Sequence, residues 1–378
     1  MLKEYNIFEI ENLKIHGRTV TDLPYLPVFW SHGGIEVNVT GSELWVELET
    51  SCAGYEPWMV VELNGSIIAR QMVLPGTTSL CLYRSMENGP VKNVKFYRDL
   101  QAVSGDTETQ VLIKGLKTDG EFLPVEEKKL KIEFIGDSIT SGEGTYGAFD
   151  DGEWLAMYQS SSRTYVNMIE RGLKAEARAI SHGGWGVYVG WDNDLRNAIP
   201  SIYKYVCGTS RGEKNEKLGT MREYDFSLWQ PDAVVVNLGT NDRTSFETPA
   251  LDIPGMGLCK MRKNEDDSFD EEDARKIEVA IIDFLGVLRE CNKKAHIIWC
   301  YGMLGYDLEA LIKKAVKEYM DKSGDEKVEY ISLPCATEET FGSHMHPGYK
   351  NHHEAALVLG KRIGDIFGVE FKEPLGCY

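Results

Sequence analysis

The chain has 378 residues, which is more than one typical hydrophobic core accommodates, so we expect two domains. Hydrophobic residues make up 42% of it, an ordinary share for a soluble globular protein. The formal net charge of −18 argues against nucleic acid and anionic membrane as partners, because both are themselves polyanionic.

The beginning of the chain and its cysteines bear on location. Met1–Tyr5 runs into Glu9 and Glu11 without the apolar segment of a signal peptide, and no apolar run approaches the ~20 residues of a membrane helix. The cysteines are scattered and form no Cys-x-x-Cys pair, which favours structural thiols in a reducing compartment. We therefore expect a cytoplasmic protein. The cysteines are Cys52, Cys81, Cys207, Cys259, Cys291, Cys300, Cys335 and Cys377.

Residues 1–127 are predicted to form an all-β domain. Segments such as Gly34–Thr40 and Glu43–Glu49 alternate apolar and polar residues, as half-buried strands do. Asn64-Gly65, between two apolar runs, is typical of a tight hairpin. Short strands at this spacing indicate a β-sandwich of jelly-roll type.

Residues 128–378 are predicted to form an α/β domain. The pattern changes after the charged segment Val125–Leu130 to strands that alternate with helices. Such alternation indicates a mostly parallel sheet with helices on both faces, which binds ligands at the carboxyl ends of its strands. We place strands at 131–135, 177–181, 232–237, 295–301 and 328–332, and helices at 160–173, 270–292 and 307–322.

Two long loops interrupt this pattern, at 203–224 and 246–269. Loops of such length in a compact domain are usually either functional covers or disordered.

The first segment with a chemical signature surrounds Ser138. The apolar run Leu130–Ile135 predicts a buried strand, Gly136 a tight turn, and Asp137-Ser138 the start of a helix. A serine there has its hydroxyl at the carboxyl end of the strand, beside unpaired N–H groups of the helix start. These donors suit the oxyanion that forms when a serine attacks an ester carbonyl.

Two further segments follow predicted strands. In Ser181–Val187, a glycine lets the backbone approach a ligand and offer its N–H; we assign Gly184 as a second oxyanion donor, with Gly183 as its rival. The second segment, Val234–Asp242, ends in Asn241, whose amide is a neutral donor. Alone, the glycine segment is equally compatible with a flexible turn, and the Asn241 segment is better explained as a turn in which Asn241 and Asp242 cap a helix.

The last segment, Gly342–His353, contains four histidines. His346-Pro347 precedes an apolar-periodic helix. A zinc site is one alternative for His344 and His346, with His352 and His353 nearby. However, no carboxylate or cysteine accompanies them at a recognised spacing. We therefore expect no metal.

In this order, the segments resemble the blocks of the SGNH, or GDSL-like, hydrolase superfamily. The resemblance is carried by Gly136-Asp137-Ser138-Ile139, the glycine segment after the second strand, Gly239-Thr240-Asn241-Asp242 and His346-Pro347. It implies that Ser138 is the nucleophile and His346 the general base. It also implies an oxyanion hole of the Ser138 N–H, the Gly184 N–H and the Asn241 side chain, with no cofactor.

One position departs from that pattern. The superfamily usually has an aspartate three residues before the histidine, where this chain has Ser343. An imidazole needs an acceptor on its second nitrogen, but the acceptor need not be charged. We expect a Ser–His dyad with a backbone carbonyl as acceptor; Glu338 and Glu339 are the alternative orienting groups.

Substrate contacts are assigned to residues beside these blocks. Trp185 lies between two glycines and could form a wall for a sugar ring, and Asp137 and His182 are further candidates. Trp154 and Trp191 also flank the blocks; for Trp154 we favour packing.

A β-sandwich followed by an SGNH domain resembles carbohydrate esterase family 2. This resemblance implies a serine esterase that removes O-acetyl groups from oligosaccharides of xylan or mannan type, in polysaccharide degradation. The alternatives are a lipase or thioesterase of the same superfamily, and a carbohydrate-binding protein with a silent hydrolase domain. Neither the polysaccharide nor the oligomeric state follows from the sequence.

Overall fold

The computed structural model describes residues 1–373, and these divide into two compact units. The first unit contains Met1–Lys128 together with the segments Trp154–Ser162 and Tyr205–Tyr224. The second contains Lys129–Glu153, Arg163–Lys204 and the described chain from Asp225 onward. The first unit is therefore discontinuous in sequence.

The first unit is built from antiparallel strands. One sheet has the order β1-β10-β5-β8, with β3 added to β10, and the other has the order β11-β4-β9-β6-β7, with β2 added to β4. The strands are β1 (Lys3–Asn6), β2 (Lys14–His16), β3 (Leu26–Pro27), β4 (Gly34–Val39), β5 (Leu44–Ser51), β6 (Trp58–Leu63), β7 (Ser66–Met72), β8 (Gly76–Tyr83), β9 (Lys92–Arg98), β10 (Gln110–Thr118) and β11 (Phe122–Leu123).

The alternation of apolar residues explains this β-sandwich. Along β5, Leu44, Val46 and Leu48 are buried while the residues between them are half-exposed. They join a core to which both sheets contribute. Strands β6 and β7 form the hairpin predicted at Asn64–Gly65. The predicted β-sandwich is confirmed.

The second unit is built around a five-stranded parallel sheet of order β13-β12-β14-β17-β18. Its strands are β12 (Lys131–Gly136), β13 (Glu176–Ser181), β14 (Ala233–Asn237), β17 (His296–Tyr301) and β18 (Val328–Ser332), with a separate hairpin of β15 (Leu251–Ile253) and β16 (Gly257–Cys259). Within residues 1–373 the α-helices are α1 (Ser138–Ser141), α2 (Tyr165–Gly172), α3 (Glu213–Lys217), α4 (Thr240–Ser245), α5 (Glu271–Cys291), α6 (Glu309–Ser323) and α7 (Tyr349–Phe367). Of these, α3 lies in a segment of the first unit.

The register of the three central strands positions the site. Gly136, the last residue of β12, pairs with Ser181 at the end of β13 and with Asn237 at the end of β14. The chain segments after these strands therefore leave the sheet at one level. Because β13 and β14 lie on opposite sides of β12, the connections diverge there, and such a point is where open α/β sheets bind ligands.

Helix α7 packs on the sheet through the apolar face that the sequence predicts. Ala355, Leu359 and Ile363 are fully buried and join Ile132 and Phe134 of β12 in one core. The helix predicted over 160–173 is shorter in the structure. A single 3₁₀ turn ends at Arg163, and α2 begins only after Thr164, whose backbone is extended.

The two long loops contain local structure. Residues 246–269 include the β15–β16 hairpin, and residues 203–224 include α3 and an isolated bridge between Tyr205 and Glu223. Over residues 1–373, no helix has both the length and the apolar character needed to cross a membrane.

Candidate active site

Ser138 is the first residue of α1, directly after β12. The preceding residue, Asp137, caps this short helix by accepting a hydrogen bond from the Ile139 N–H at 3.0 Å. Ser138 is 5% exposed, and its own N–H finds no acceptor within residues 1–373. That N–H is therefore free to donate to a ligand that reaches the hydroxyl.

His346 and Ser138 meet at hydrogen-bonding distance. Nε2 of His346 lies 2.8 Å from Oγ of Ser138, and Nδ1 lies 2.6 Å from the backbone carbonyl of His344. A carbonyl only accepts, so Nδ1 carries the proton of the neutral ring and Nε2 carries the lone pair. The ring is thus held in the tautomer that can take a proton from Ser138.

The loop that presents His346 is anchored to the segment after α1. Gly144 has φ +75°, and a Cβ there would come within 2.6 Å of the His346 Cβ, so the close approach requires glycine. The Ser343 N–H donates to the Gly144 carbonyl at 3.2 Å, and the Ser343 hydroxyl donates to the Tyr146 carbonyl at 2.8 Å. Ser343 thus anchors the loop and makes no contact with the ring of the kind that an aspartate would make.

The orienting acceptor of His346 is a backbone carbonyl, the kind of group that we expected from the sequence. The alternative candidates, Glu338 and Glu339, are both exposed, and no hydrogen bond joins either of them to His346 in the described part of the chain.

Gly184 and Asn241 provide two further donors at the same edge of the sheet. Gly184 has φ +79°, and its N–H makes no hydrogen bond inside the described chain. The Asn241 side-chain amide donates one hydrogen to the Trp185 carbonyl at 3.0 Å, which fixes the amide plane and leaves its second hydrogen available. Together with the Ser138 N–H, these groups make up the predicted donor set.

Asp242 holds the segment after Gly184 in place. Its buried carboxylate accepts hydrogen bonds from the N–H groups of Val187, Tyr188 and Val189 at 2.8, 2.8 and 3.1 Å. Burial nevertheless raises the pKa of Asp242 above its ordinary value. This carboxylate couples the two segments that carry Asn241 and Gly184.

The structure buries the three residues that we predicted to contact substrate, Trp185, Asp137 and His182. Trp185 is only 2% exposed and packs against the His182 ring, and the Nδ1 of His182 donates to the Gly183 carbonyl at 2.7 Å. Asp137 is fully buried as a helix cap. Their contacts with substrate stay predictions, since Ser138 and Asn241 are themselves only 5% and 7% exposed.

Trp191 is an exposed aromatic side chain at this edge. It is 50% exposed, and its ring lies over Gly184, where a Cβ would be 3.0 Å from the ring carbon Cδ1. Trp154, in the first unit, makes an edge-on contact with Tyr55 at 4.8 Å, the packing role that we favoured for it.

Glu143 is a site residue that sequence reasoning missed. Its buried carboxylate Oε1 lies 2.6 Å from Nδ1 of His344 and 3.7 Å from Nε2 of His346. The hydrogen bond to Glu143 raises the pKa of His344. The only sequence signal was an acidic residue between two glycines, five positions after the serine. Glu143 lies 201 residues before His344, so no ligand spacing in the sequence joins it to these histidines.

A serine hydroxyl, a correctly tautomerised imidazole and amide donors at the carboxyl edge of a parallel sheet form the arrangement that serine hydrolases use. Residues 132–359 match the family described as GDSL-like Lipase/Acylhydrolase. The match covers more than half of the chain, and the chain belongs to this family.

Solved structures extend the similarity to both units. An acetyl xylan esterase, Est2A, from the rumen bacterium Butyrivibrio proteoclasticus is 51% identical, with a TM-score of 0.95 over 97% of this chain and 99% of that one. A family two carbohydrate esterase from Clostridium thermocellum, in complex with cellohexaose, is 24% identical and has the same fold, with a TM-score of 0.78 over 94% of this chain and 99% of that one.

A curated relative is similar along most of this chain. The cellulase/esterase CelE of Acetivibrio thermocellus is 26% identical over 346 residues, which are 90% of this chain and 37% of that protein. The chain spans little more than a third of the length of the curated relatives that it matches.

Proposed function

We propose that this protein is a serine esterase that removes O-acetyl groups from oligosaccharides of xylan or mannan type. The observation that carries the proposal is the 2.8 Å contact between Nε2 of His346 and Oγ of Ser138, beside three amide donors. The acetyl xylan esterase of 51% identity supports the acetyl group and the sugar as the two halves of the substrate.

The geometry supports a two-step reaction. The Ser138 oxygen attacks the acetyl carbonyl while Nε2 of His346 takes the hydroxyl proton. The tetrahedral oxyanion is held by the N–H groups of Ser138 and Gly184 and by the second amide hydrogen of Asn241. The ester bond then breaks, and the sugar hydroxyl leaves with the proton from His346. Water, deprotonated by the same imidazole, releases acetate from the acyl-enzyme.

The exposed ring of Trp191 is the residue that we assign to the sugar. A flat aromatic face packs against the apolar face of a pyranose, and this ring lies beside Gly184. A sugar resting on Trp191 would bring its ester towards the amide groups.

Acetate release from acetylated xylo- and manno-oligosaccharides tests the proposal. Replacement of Ser138 or His346 by alanine should abolish release, because the first removes the nucleophile and the second its base. Ser227→Ala and His353→Ala, outside the site, serve as matched controls and should keep wild-type rates. NMR of the products would locate the acetyl group that is lost.

Two results would redirect the assignment. Rates that rise from acetyl to longer acyl esters would favour a lipase or thioesterase. Oligosaccharide binding without acetate release, in chains that are correctly folded, would favour a binding protein. Wild-type rates in either alanine variant of Ser138 or His346 would remove that residue from the mechanism.

We also propose a cytoplasmic location and a part in polysaccharide degradation. The cysteines at positions 52 to 335 are free thiols, which suits a reducing compartment; Cys377 lies outside the described residues. In the source cell, recovery of the protein with soluble cytoplasmic markers would support the location, and recovery from the medium would contradict it.

A further inference from the structure

Three side chains beside Ser138 bring metal-ligating atoms together. Oε1 of Glu143, Nδ1 of His344 and Nε2 of His346 all lie within 4.8 Å of one another. We infer that these residues form a binding site for a divalent metal ion of the zinc type, and that the bound ion inhibits the enzyme by taking the lone pair of His346. The inhibitory half of this inference rests on the proposed function.

The ligand set suits zinc. Two imidazole nitrogens and one carboxylate oxygen are ligands that zinc prefers, and three protein ligands leave a fourth position open. Ligand atoms about 2.0–2.2 Å from a tetrahedral ion are about 3.3 Å from each other. The separations from Oε1 of Glu143 are 2.6 Å to Nδ1 of His344 and 3.7 Å to Nε2 of His346, so the first needs to lengthen by about 0.7 Å and the second to shorten by about 0.4 Å.

The backbone arranges the two histidines for a common ligand. His344 and Met345 have φ of +51° and +54°, a left-handed conformation that is costly for residues other than glycine. The rings of His344 and His346 are nearly parallel, with an interplanar angle of 4° and centroids 5.4 Å apart. The strained turn is held by the His344 N–H, which donates to the Asp151 carbonyl at 2.7 Å.

An ion from solution can reach these atoms. The His344 side chain is 36% exposed and that of His346 is 16% exposed, while the Glu143 carboxylate is buried behind them. The hydrogen bond between Glu143 and His344 already brings a carboxylate oxygen and a ring nitrogen to one point. The ion would take the place of the proton between them, as metal ions do when they bind protonated ligands.

Inhibition follows from which atom of His346 is used. Its Nδ1 donates to the His344 carbonyl, so Nε2 holds the only lone pair, and this lone pair faces Oγ of Ser138 at 2.8 Å. A metal ion on Nε2 would prevent the imidazole from accepting the serine proton. Occupation of the site and removal of that proton therefore exclude one another.

Direct metal binding is the first measurement, and it does not depend on activity. The full-length protein, freed of metal with a chelator, is titrated with Co²⁺, whose visible absorption reports four-coordinate ligation; Zn²⁺ is then counted by equilibrium dialysis. We expect one ion per chain. Glu143→Gln and His344→Gln should weaken binding at least about tenfold, since each removes a direct ligand.

The chain offers a matched control in His296. Its Nε2 also contacts a carboxylate, that of Glu329 at 2.8 Å, but it lies at the amino end of β17, at the other edge of the sheet. His296→Gln should leave metal affinity unchanged. No binding to the wild type, or binding that neither Glu143→Gln nor His344→Gln weakens, would overturn the site.

Acetate release with added Zn²⁺ is the second measurement. We expect inhibition over the concentration range in which Zn²⁺ binds, recovery after chelation, and a smaller relative loss in His344→Gln than in the wild type. Full activity of the zinc-loaded enzyme would overturn the inhibition. So would a Ser138→Ala variant that releases acetate once Zn²⁺ is added. If the protein binds the metal ion but releases no acetate even when a chelator has removed all metal, the metal site is supported and only the proposed esterase function is contradicted.

Discussion

Asn241 shows how much of the site depends on one side-chain amide. One of its amide hydrogens is fixed on the Trp185 carbonyl at 3.0 Å, so the other points in a defined direction without any cost at the moment of reaction. Unlike a lysine or an arginine, it adds no charge that would bind the neutral ester before attack.

Asn241→Ala should lower kcat by roughly 10²–10³, with little change in KM, because the donor acts on the oxyanion and hardly on the ester. Steady-state acetate release measures both constants. Thr240→Ala, at the neighbouring position, is the control and should keep wild-type kinetics. A raised KM with an unchanged kcat would mean that Asn241 binds substrate and does not stabilise the oxyanion.

Asp137 makes stability dependent on pH. Burial raises the pKa of this carboxyl to about 7 in the folded protein, and Oδ2 has no hydrogen-bond partner among residues 1–373. The unfolded chain loses its proton near pH 4, so between about pH 4 and pH 7 the folded state binds more protons. Ionisation of Asp137 therefore destabilises the fold as the pH rises through this range.

Asp137→Asn should remove this penalty, since asparagine still caps the helix and does not ionise. Denaturant unfolding at several pH values measures the effect. Relative to the wild type, the variant should gain stability from about pH 4 to pH 7, by an amount on the order of a few kcal/mol. A stability difference that is constant over this range would show that Asp137 is not the titrating group.

At the scale of elements, α4 and the segment after β13 act as one part. The Asp242 carboxylate, after β14, accepts three backbone hydrogen bonds from residues 187–189, after β13, and β12 lies between these two strands in the sheet. The positions of Gly184 and Asn241 are therefore not independent.

Asp242→Ala should both destabilise the protein and slow the reaction. Three N–H groups lose their acceptor in a buried place, a loss of a few kcal/mol at ~1–3 kcal/mol for each unsatisfied group. Unfolding in urea and kcat for acetate release are the two measurements. Asp242→Asn keeps one acceptor oxygen and should fall between the wild type and the alanine variant; an alanine variant with normal kcat would contradict the coupling.

The elements that the sequence predicted are those whose own residues carry a clear apolar pattern. Strand β12 and helices α5 and α6 have long apolar patterns, and the structure places each within a residue or two of its predicted bounds. Helix α4 was missed because Thr240–Ser245 is short and polar, so its formation depends on the hydrogen bonds around it. The β15–β16 hairpin was missed because its strands have only three residues each.

At the scale of the whole molecule, the first unit takes part of its structure from distant sequence. The Trp30 indole donates to the Val206 carbonyl at 2.7 Å, and the Ser162 N–H donates to the Asp99 carboxylate at 2.8 Å. Residues 154–162 and 205–224 therefore belong to the first unit although the chain has by then entered the second.

A chain that begins at residue 128 should consequently be poorly folded in these two segments. They would lose the strands on which they pack and expose apolar side chains such as Val206. Limited proteolysis with mass spectrometry should find early cleavage within 205–224 in the shortened chain, and protection there in the full-length chain. Equal protection in both would show that the segments fold without the first 127 residues.

Separation along the sequence also explains which parts of the site could be predicted. Ser138, Gly184 and Asn241 each follow a strand, so a parallel sheet brings them to one edge whatever its details. The contact between Glu143 and His344 joins positions 201 residues apart and depends on the path of two loops. No local pattern records that path, and so the carboxylate beside the histidines was not foreseen.

The carbonyl that orients His346 has a consequence for how this site tolerates mutation and acid. A carboxylate in that position would become neutral in acid and could be deleted by a single codon change. A peptide oxygen has neither weakness, because every amino acid at position 344 supplies one. Selection can thus vary the residue at this position while the imidazole keeps its orientation, provided that the left-handed turn survives.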